Sequence, residues 1–133
     1  MNVRYLLDTN AASYAINKKS AAVDRRLAKV PMAELGISAV TEGELRYGAA
    51  RSGSAPLRAT VEQFLLAVNI FPWDSQAAQR YGHLRAALAR EGRLMGSLDM
   101  MIAAHAMALG LVLITGDRAF ARIKNLKIED WTK

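Results

Sequence analysis

Short apolar runs alternate along this chain with longer stretches in which apolar residues recur every three or four positions. Arg4 to Leu7 is a brief apolar run that stops at Asp8, and it predicts a buried strand. Asp8-Thr9-Asn10 then supplies N-cap residue types for a helix through Ile16. Ala21 to Val30 predicts a second helix, with Val23 and Leu27 on one face and Arg25, Arg26 and Lys29 mostly off it. Gly36-Ile37-Ser38 reads as a strand, followed by a helix from about Val40 to Ala50. Ser52-Gly53-Ser54 marks a loop, and Pro56 opens a helix whose apolar face is Leu57, Val61, Phe64, Leu65 and Val68. Asn69-Ile70-Phe71 is a third strand. Asp74 then caps a long helix that buries Ala77, Tyr81, Leu84 and Leu88 and ends at Gly92. Ser97 is placed to cap a helix running to Leu109, where Gly110 stops it. Leu111 to Ile114 is a purely apolar strand, Thr115-Gly116-Asp117 turns out of it, and a final strand lies near Leu126 to Ile128.

Strands that alternate with helices, several of them continuous apolar runs, predict a parallel sheet covered on both faces. The 133 residues suit a single domain, and no internal repeat, linker or low-complexity segment interrupts them. The chain has no cysteine, which removes disulfides and thiolate zinc sites and fits a reducing, cytoplasmic setting. Asp8 and Lys18-Lys19 break the pattern of a signal peptide, and the stretch from Met100 to Ile114 is too short to span a bilayer. A net charge of +6, from 18 Lys and Arg against 12 Asp and Glu, favours an acidic partner such as nucleic acid, or else a surface tuned for solubility.

In open α/β sheets, sites form beyond the carboxyl ends of the strands. Asp8 ends the first strand and Asp117 follows the strand at Leu111 to Ile114. Asp99 falls in the first turn of its helix, where the dipole tolerates negative charge. Glu44 lies on a helix that starts just after a strand, and Glu42 points about 200° away from it around that helix. Each acid alone has a structural reading: Asp8 as an N-cap, Asp99 as a partner of the dipole, Asp117 as a turn residue, Glu44 as a solvated side chain. Together they carry more. Two carboxylates about 4 Å apart repel by about 4 kcal/mol at an effective dielectric near 20, so a cluster of four needs a cation or raised pKa values. All-oxygen ligands point to Mg2+ or Mn2+ rather than zinc.

The segments Tyr5-Leu6-Leu7-Asp8-Thr9-Asn10, Ile37-Ser38-Ala39-Val40-Thr41, Glu44-Leu45-Arg46-Tyr47-Gly48, Leu98-Asp99, Ile102-Ala103-Ala104-His105-Ala106, Leu113-Ile114-Thr115 and Glu129-Asp130-Trp131 resemble, in order and spacing, the PIN-domain ribonucleases. Within these the resemblance is to the VapC toxins of type II toxin–antitoxin pairs, and it covers essentially the whole chain, so that residues 1–133 read as one PIN domain. It implies a PIN-like three-layer α/β/α sandwich around a small parallel sheet. It also implies a Mg2+-dependent endoribonuclease that hydrolyses RNA, tRNA among the options, and leaves a 5′-phosphate and a 3′-hydroxyl. Asp8, Glu44, Asp99 and Asp117 match the family's acidic metal ligands and catalytic residues, and Asn10 and Thr115 match polar residues that support the site. Two positions depart from the pattern: Ser97 stands where many relatives have Pro, and Asp117 where close relatives often have Asn. The resemblance further implies a homodimer, a VapB-type antitoxin that joins it in a hetero-oligomer, contact with DNA only through that antitoxin, and no membrane association.

In such a reaction Glu44 or Asp99 is placed to take a proton, and Arg46, Arg93, Arg118 and Arg122 are candidates to hold the RNA backbone. His83 and His105 lack a Cys or His at ligand spacing and read as helix residues. Trp73, Trp131 and Tyr47 read as packing residues, and Met95, Met100, Met101 and Met107 as core or subunit-contact fillers. Two rival readings bear on the same pattern. A PIN fold that grips RNA or a partner without cutting would favour loss of an acid, and all four are present. A phosphoacceptor receiver domain needs an Asp after its third strand, where this chain has Pro72.

Overall fold

A computed structural model describes residues 2–133. The elements run β1 (Tyr5–Leu7), α1 (Thr9–Asn17), α2 (Ala21–Leu27), β2 (Leu35–Ser38), α3 (Ala39–Ser52), α4 (Ala55–Ala67), β3 (Asn69–Phe71), α5 (Ser75–Arg90), α6 (Ser97–Leu109), β4 (Val112–Ile114) and β5 (Ile128–Glu129). Short 3-10 turns over Met32–Glu34 and Arg118–Arg122 precede β2 and β5.

The strands form one parallel sheet in the order β3-β2-β1-β4-β5. From central β1 the chain steps outward to β2 and β3, then returns to lay β4 and β5 on the other side. The direction of winding therefore reverses between β1 and β4, and a crevice opens beyond the carboxyl ends of the strands at such a reversal.

Strand side chains alternate between faces, and the two cores follow that period. Leu7, Leu35, Ile37 and Ile114 join Ala12, Ile16, Leu45, Val61 and Leu65 under helices α1 to α4. Leu6 and Leu113 face the opposite way, onto Leu84, Leu88, Met100 and Ala103 of α5 and α6. The result is the expected three-layer α/β/α sandwich. Trp131, expected as packing, closes the first core edge-on to Tyr5 at 5.1 Å between ring centroids. Tyr47 does not pack as expected: it is 65% exposed, on the outer side of α3.

Side-chain caps set most helix starts. Asp8 accepts from the Ala11 N–H at 2.8 Å, Ser38 from Val40 at 3.0 Å, Ser54 from Leu57 at 3.2 Å and Asp74 from Ala77 at 3.0 Å. Gly53 and Gly110 end α3 and α6 in the left-handed region, at φ 67 and 69.

Three boundaries differ from the sequence reading. Helix α2 stops at Leu27 and not Val30, because Pro31 disfavours helical geometry in the residue before it. Ser97 does not cap α6. It is already the first helical residue, and Gly96 takes the cap position, its carbonyl accepting from the Met100 N–H at 3.0 Å. The last strand covers Ile128–Glu129 and not Leu126–Ile128, because Leu126 turns into the α5/α6 core and the ladder begins where Ile128 meets Leu113. No helix among the described residues is long and apolar enough to cross a membrane.

Candidate active site

Asp8 stands where β1 runs out. Its backbone N–H donates to the Ile114 carbonyl at 3.0 Å, one rung beyond the β1–β4 ladder. Its Oδ1 accepts from Ala11, so the capping role is real and occupies one oxygen. The carboxylate is 5% exposed. Thr115, buried at the end of neighbouring β4, lies beside the Asp8 carboxylate, whose pKa its hydroxyl lowers, and accepts the Asp117 N–H on that hydroxyl at 3.0 Å. One threonine therefore stands between the two acids of the β1/β4 reversal. Asp117 is exposed, and its Oδ1 accepts from the Ala119 N–H at 2.9 Å to start the 3-10 turn. It is thus a turn residue that also faces the crevice.

Helices bring the other two acids. Glu44, half-buried on α3, accepts from the Thr9 hydroxyl at 2.5 Å, and the Thr41 hydroxyl lies 3.3 Å from the same Thr9 oxygen. Glu42 turns the other way and pairs with Arg46 at 2.9 Å, as the angle between them requires. Asp99 is half-buried in the first turn of α6 and has no side-chain hydrogen bond among the described residues.

Electrostatics bind the four into one group. Burial raises the Asp8 pKa above the ordinary 3.8; hydrogen bonds from Thr115 and Ala11 oppose this, and the Asp99 and Asp117 charges add to it. Asp99 is raised by burial first, then by Asp117 and Glu44. The crevice thus gathers negative charge, two of its acids shifted upward by burial and by one another. Its donors are all oxygen, which suits a hard divalent ion. No group of three or more His, Asp or Glu side chains among the described residues is close enough, as arranged here, to hold a metal ion. A cation that keeps most of its waters and binds through one or two carboxylates fits such an open set, and magnesium behaves in that way.

The supporting residues divide. Thr115 contacts two of the acids, whereas Asn10 is exposed and makes no hydrogen bond to any of them. Arg46 bonds to both Glu42 and Glu62, so its charge is already matched. Arg93 lies exposed in the loop before α6, and Arg118 follows Asp117 directly. Arg122 lines a groove of about 220 Å³ with Arg80, His83 and Lys124, and none of the four acids borders it. Thr9 is the residue that sequence reasoning passed over as part of the site. It was legible as a cap-type residue beside Asp8, but its bond to Glu44 depends on α1 lying against α3.

Comparison with known proteins follows the geometry. The model of the PIN domain family matches residues 5–126. The chain is 39% identical to the tRNA(fMet)-specific endonuclease VapC of Shigella flexneri, over 98% of this chain and 99% of that protein. It is 34% identical to ribonuclease VapC2 of Haemophilus influenzae, over 97% and 98%. Among solved structures, VapBC2 from Rickettsia felis bound to a promoter DNA fragment superposes with a TM-score of 0.89, at 32% identity and over 97% and 99% of the two chains. DNA-bound VapBC from Salmonella typhimurium gives 0.88 at 38% identity, over 97% and 98%.

Proposed function

This chain belongs to the PIN-domain family, among its VapC ribonucleases, and from that premise we propose that residues 1–133 form one PIN domain whose crevice cuts RNA with Mg2+. It is a nuclease and the toxin half of a VapBC-type toxin–antitoxin pair. The observation that carries the metal assignment is the gathered charge: four neighbouring acids, two with pKa values raised by burial and by one another.

Asp8 and Asp99 are the main ligands in this reading. Asp8 keeps one oxygen beyond its cap bond, and Asp99 has both unengaged. Asp117 serves as a support, since its cap bond needs only an acceptor oxygen that Asn also offers. A bound Mg2+ supplies a lowered pKa for the attacking water and a counter-charge for the phosphate. Thr9 fixes one oxygen of Glu44, and the other oxygen is left to take the proton released by that water. Thr115 anchors the backbone of Asp117 beside Asp8. In-line attack then leaves a 5′-phosphate and a 3′-hydroxyl. Arg93 and Arg118 flank the acids in sequence and meet the backbone phosphates, with Arg122 further along the 3-10 turn. Arg46 does not, because Glu42 and Glu62 already neutralise it.

We assign tRNA as the substrate class, from the activity of the Shigella flexneri relative. The protein works in the cytoplasm as a homodimer held silent by a VapB-type antitoxin, and it meets promoter DNA through that antitoxin. The test is cleavage of tRNA(fMet) by purified protein with Mg2+, with EDTA, and with Asp8→Ala or Asp99→Ala. Cleavage with Mg2+ alone is the expected result. Equal cleavage in all four would sink the assignment, and metal binding without cleavage of any RNA would favour a grip-only module.

A further inference from the structure

His105 is the buried titratable group that the reaction leaves unused. It lies on α6, is 1% exposed, and its Nδ1 is 2.8 Å from the Ser38 hydroxyl. Ser38 is the N-cap of α3 and already accepts the Val40 N–H at 3.0 Å. The Ser38 hydroxyl keeps its own proton, which donates to Nδ1 when the neutral ring carries its proton on Nε2. Burial lowers the ring pKa, against a smaller opposing pull from Asp74, and so favours the neutral form.

The surroundings fix the ring in place. Trp73 and Phe71 stand edge-on to it, at 5.4 and 6.3 Å between centroids. The Phe71 ring occupies its position only because residue 36 is glycine: a Cβ there would come within 2.6 Å of it.

What this bond connects matters more than the bond itself. Helix α6 carries Asp99 and α3 carries Glu44, each six residues from the joined pair, about 9 Å along its helix. Apart from this bond, α6 makes no side-chain hydrogen bond to another element among the described residues. The rest of its contact surface is apolar: Met100, Ile102, Ala103, Ala104 and Ala106 are buried, and Met107 and Leu109 partly so. The hydrophobic effect is itself non-directional, so packing seats the helix by shape alone. A hydrogen bond does have direction. Asp99 has no partner of its own, so its position is inherited from α6.

We propose that His105, through Ser38, is a positioning residue that sets the register of α6 against α3 and so the separation of Asp99 from Glu44 at the metal. This rests on the metal-dependent reading above, and the test separates failure of one from failure of the other.

Mn2+ binding is measured by the EPR signal of the free ion, with wild type, His105→Phe and His105→Asn. Hydrogen exchange of the α6 amides is followed in the metal-free proteins. Phe fills the ring's space without an acceptor. Asn places an amide oxygen near Nδ1, where it can accept from Ser38. The expected result is a loss of about tenfold or more in Mn2+ affinity for His105→Phe, the scale of an orienting residue behind a ligand. His105→Asn should stay within about threefold of wild type, a small fraction of that loss. The first turns of α6 should exchange faster in His105→Phe alone. Wild-type affinity and exchange in His105→Phe would overturn the strut. So would equal losses in both variants, since packing alone would then be the cause. If His105→Phe does not fold, His105→Gln replaces it, with its amide displaced toward Nε2; equal Mn2+ binding by the Asn and Gln variants would overturn the proposal. If wild type binds no Mn2+, the metal reading falls, and the exchange comparison still decides the strut.

Discussion

Asp8 and Asp117 stand where β1 and β4 run out, each with a backbone N–H bonded to its carboxylate, and the Asp117 N–H is bonded to Thr115. Glu44 and Asp99 stand on α3 and α6, and only Glu44 has a hydrogen-bond partner, the Thr9 hydroxyl. The strand-end acids are held by bonds to residues two or three positions along the chain. The helix-borne acids are held by tertiary packing. Local bonding places a carboxylate independently of how the layers settle, whereas packing makes the placement depend on every contact beneath it. The first half of the crevice is therefore a rigid template, and the second is where its width is set.

The comparison breaks most sharply at Asp8, which serves the template and the chemistry at once. Asp8→Ala is expected to lower cleavage about 10³-fold, the scale of several kcal/mol of lost charge stabilisation, and to cost about 1 kcal/mol of stability with the cap. Asp8→Asn should lose the activity and keep or gain stability without metal near neutral pH, because an amide oxygen still caps Ala11 and the buried charge is removed. Thermal melts beside single-turnover cleavage read both; parallel loss of stability in the two variants would contradict the division. On the helix side, Thr9→Val removes the only hydrogen-bond donor to Glu44 among the described residues and should slow cleavage about fivefold, for one hydrogen bond of about 1 kcal/mol. An unchanged rate would mean that packing alone orients Glu44.

Charge offers a third measurement. Asp99 has its folded pKa raised above the ordinary 3.8 by burial and by Asp117 and Glu44. It binds a proton more readily folded than unfolded. Its contribution therefore favours folding below about pH 3.8 and is lost as the pH rises through the folded value. At neutral pH, without metal, it opposes folding. Asp99→Asn should raise the metal-free melting temperature by a few degrees near neutrality and give no gain in acid below 3.8. Calorimetry in EDTA checks this, and a gain that persists in acid would point to another cause. The smallest effect belongs to Asp117→Asn. The amide keeps the bond to Ala119, so cleavage should stay within about threefold, less than one typical hydrogen bond is worth.

The same division governs what could be read from the sequence. Asp8 and Asp74 cap the helices they precede and Gly110 ends α6 as read, because capping is settled within three or four residues, whereas Ser97, read as a cap, is the first helical residue. The strand-to-acid steps at Leu7–Asp8 and Ile114–Asp117 were visible for the same reason. Bonds across layers were not. Nothing near Thr9 announces Glu44, and nothing near His105 announces Ser38, since each pair meets only after the sheet has brought its helices together. The misplaced ends of α2 and β5 show the intermediate case: Pro31 was there to be weighed, but the start of β5 depends on Ile128 reaching Leu113.

The strand order carries one more consequence, for the order of events as the protein is made. Tyr5, near the start of the chain, pairs on one side with Leu35 and on the other with Val112. Asp8 leaves a ribosome early but stays half a template until β4 docks beside it with Thr115 and Asp117. Contacts so distant in sequence form late, after the loop between them has been closed. An unfinished chain therefore holds one isolated carboxylate at the sheet edge and no cutting edge. The cell that translates this toxin meets an active crevice only once β4 has been made and has docked beside β1.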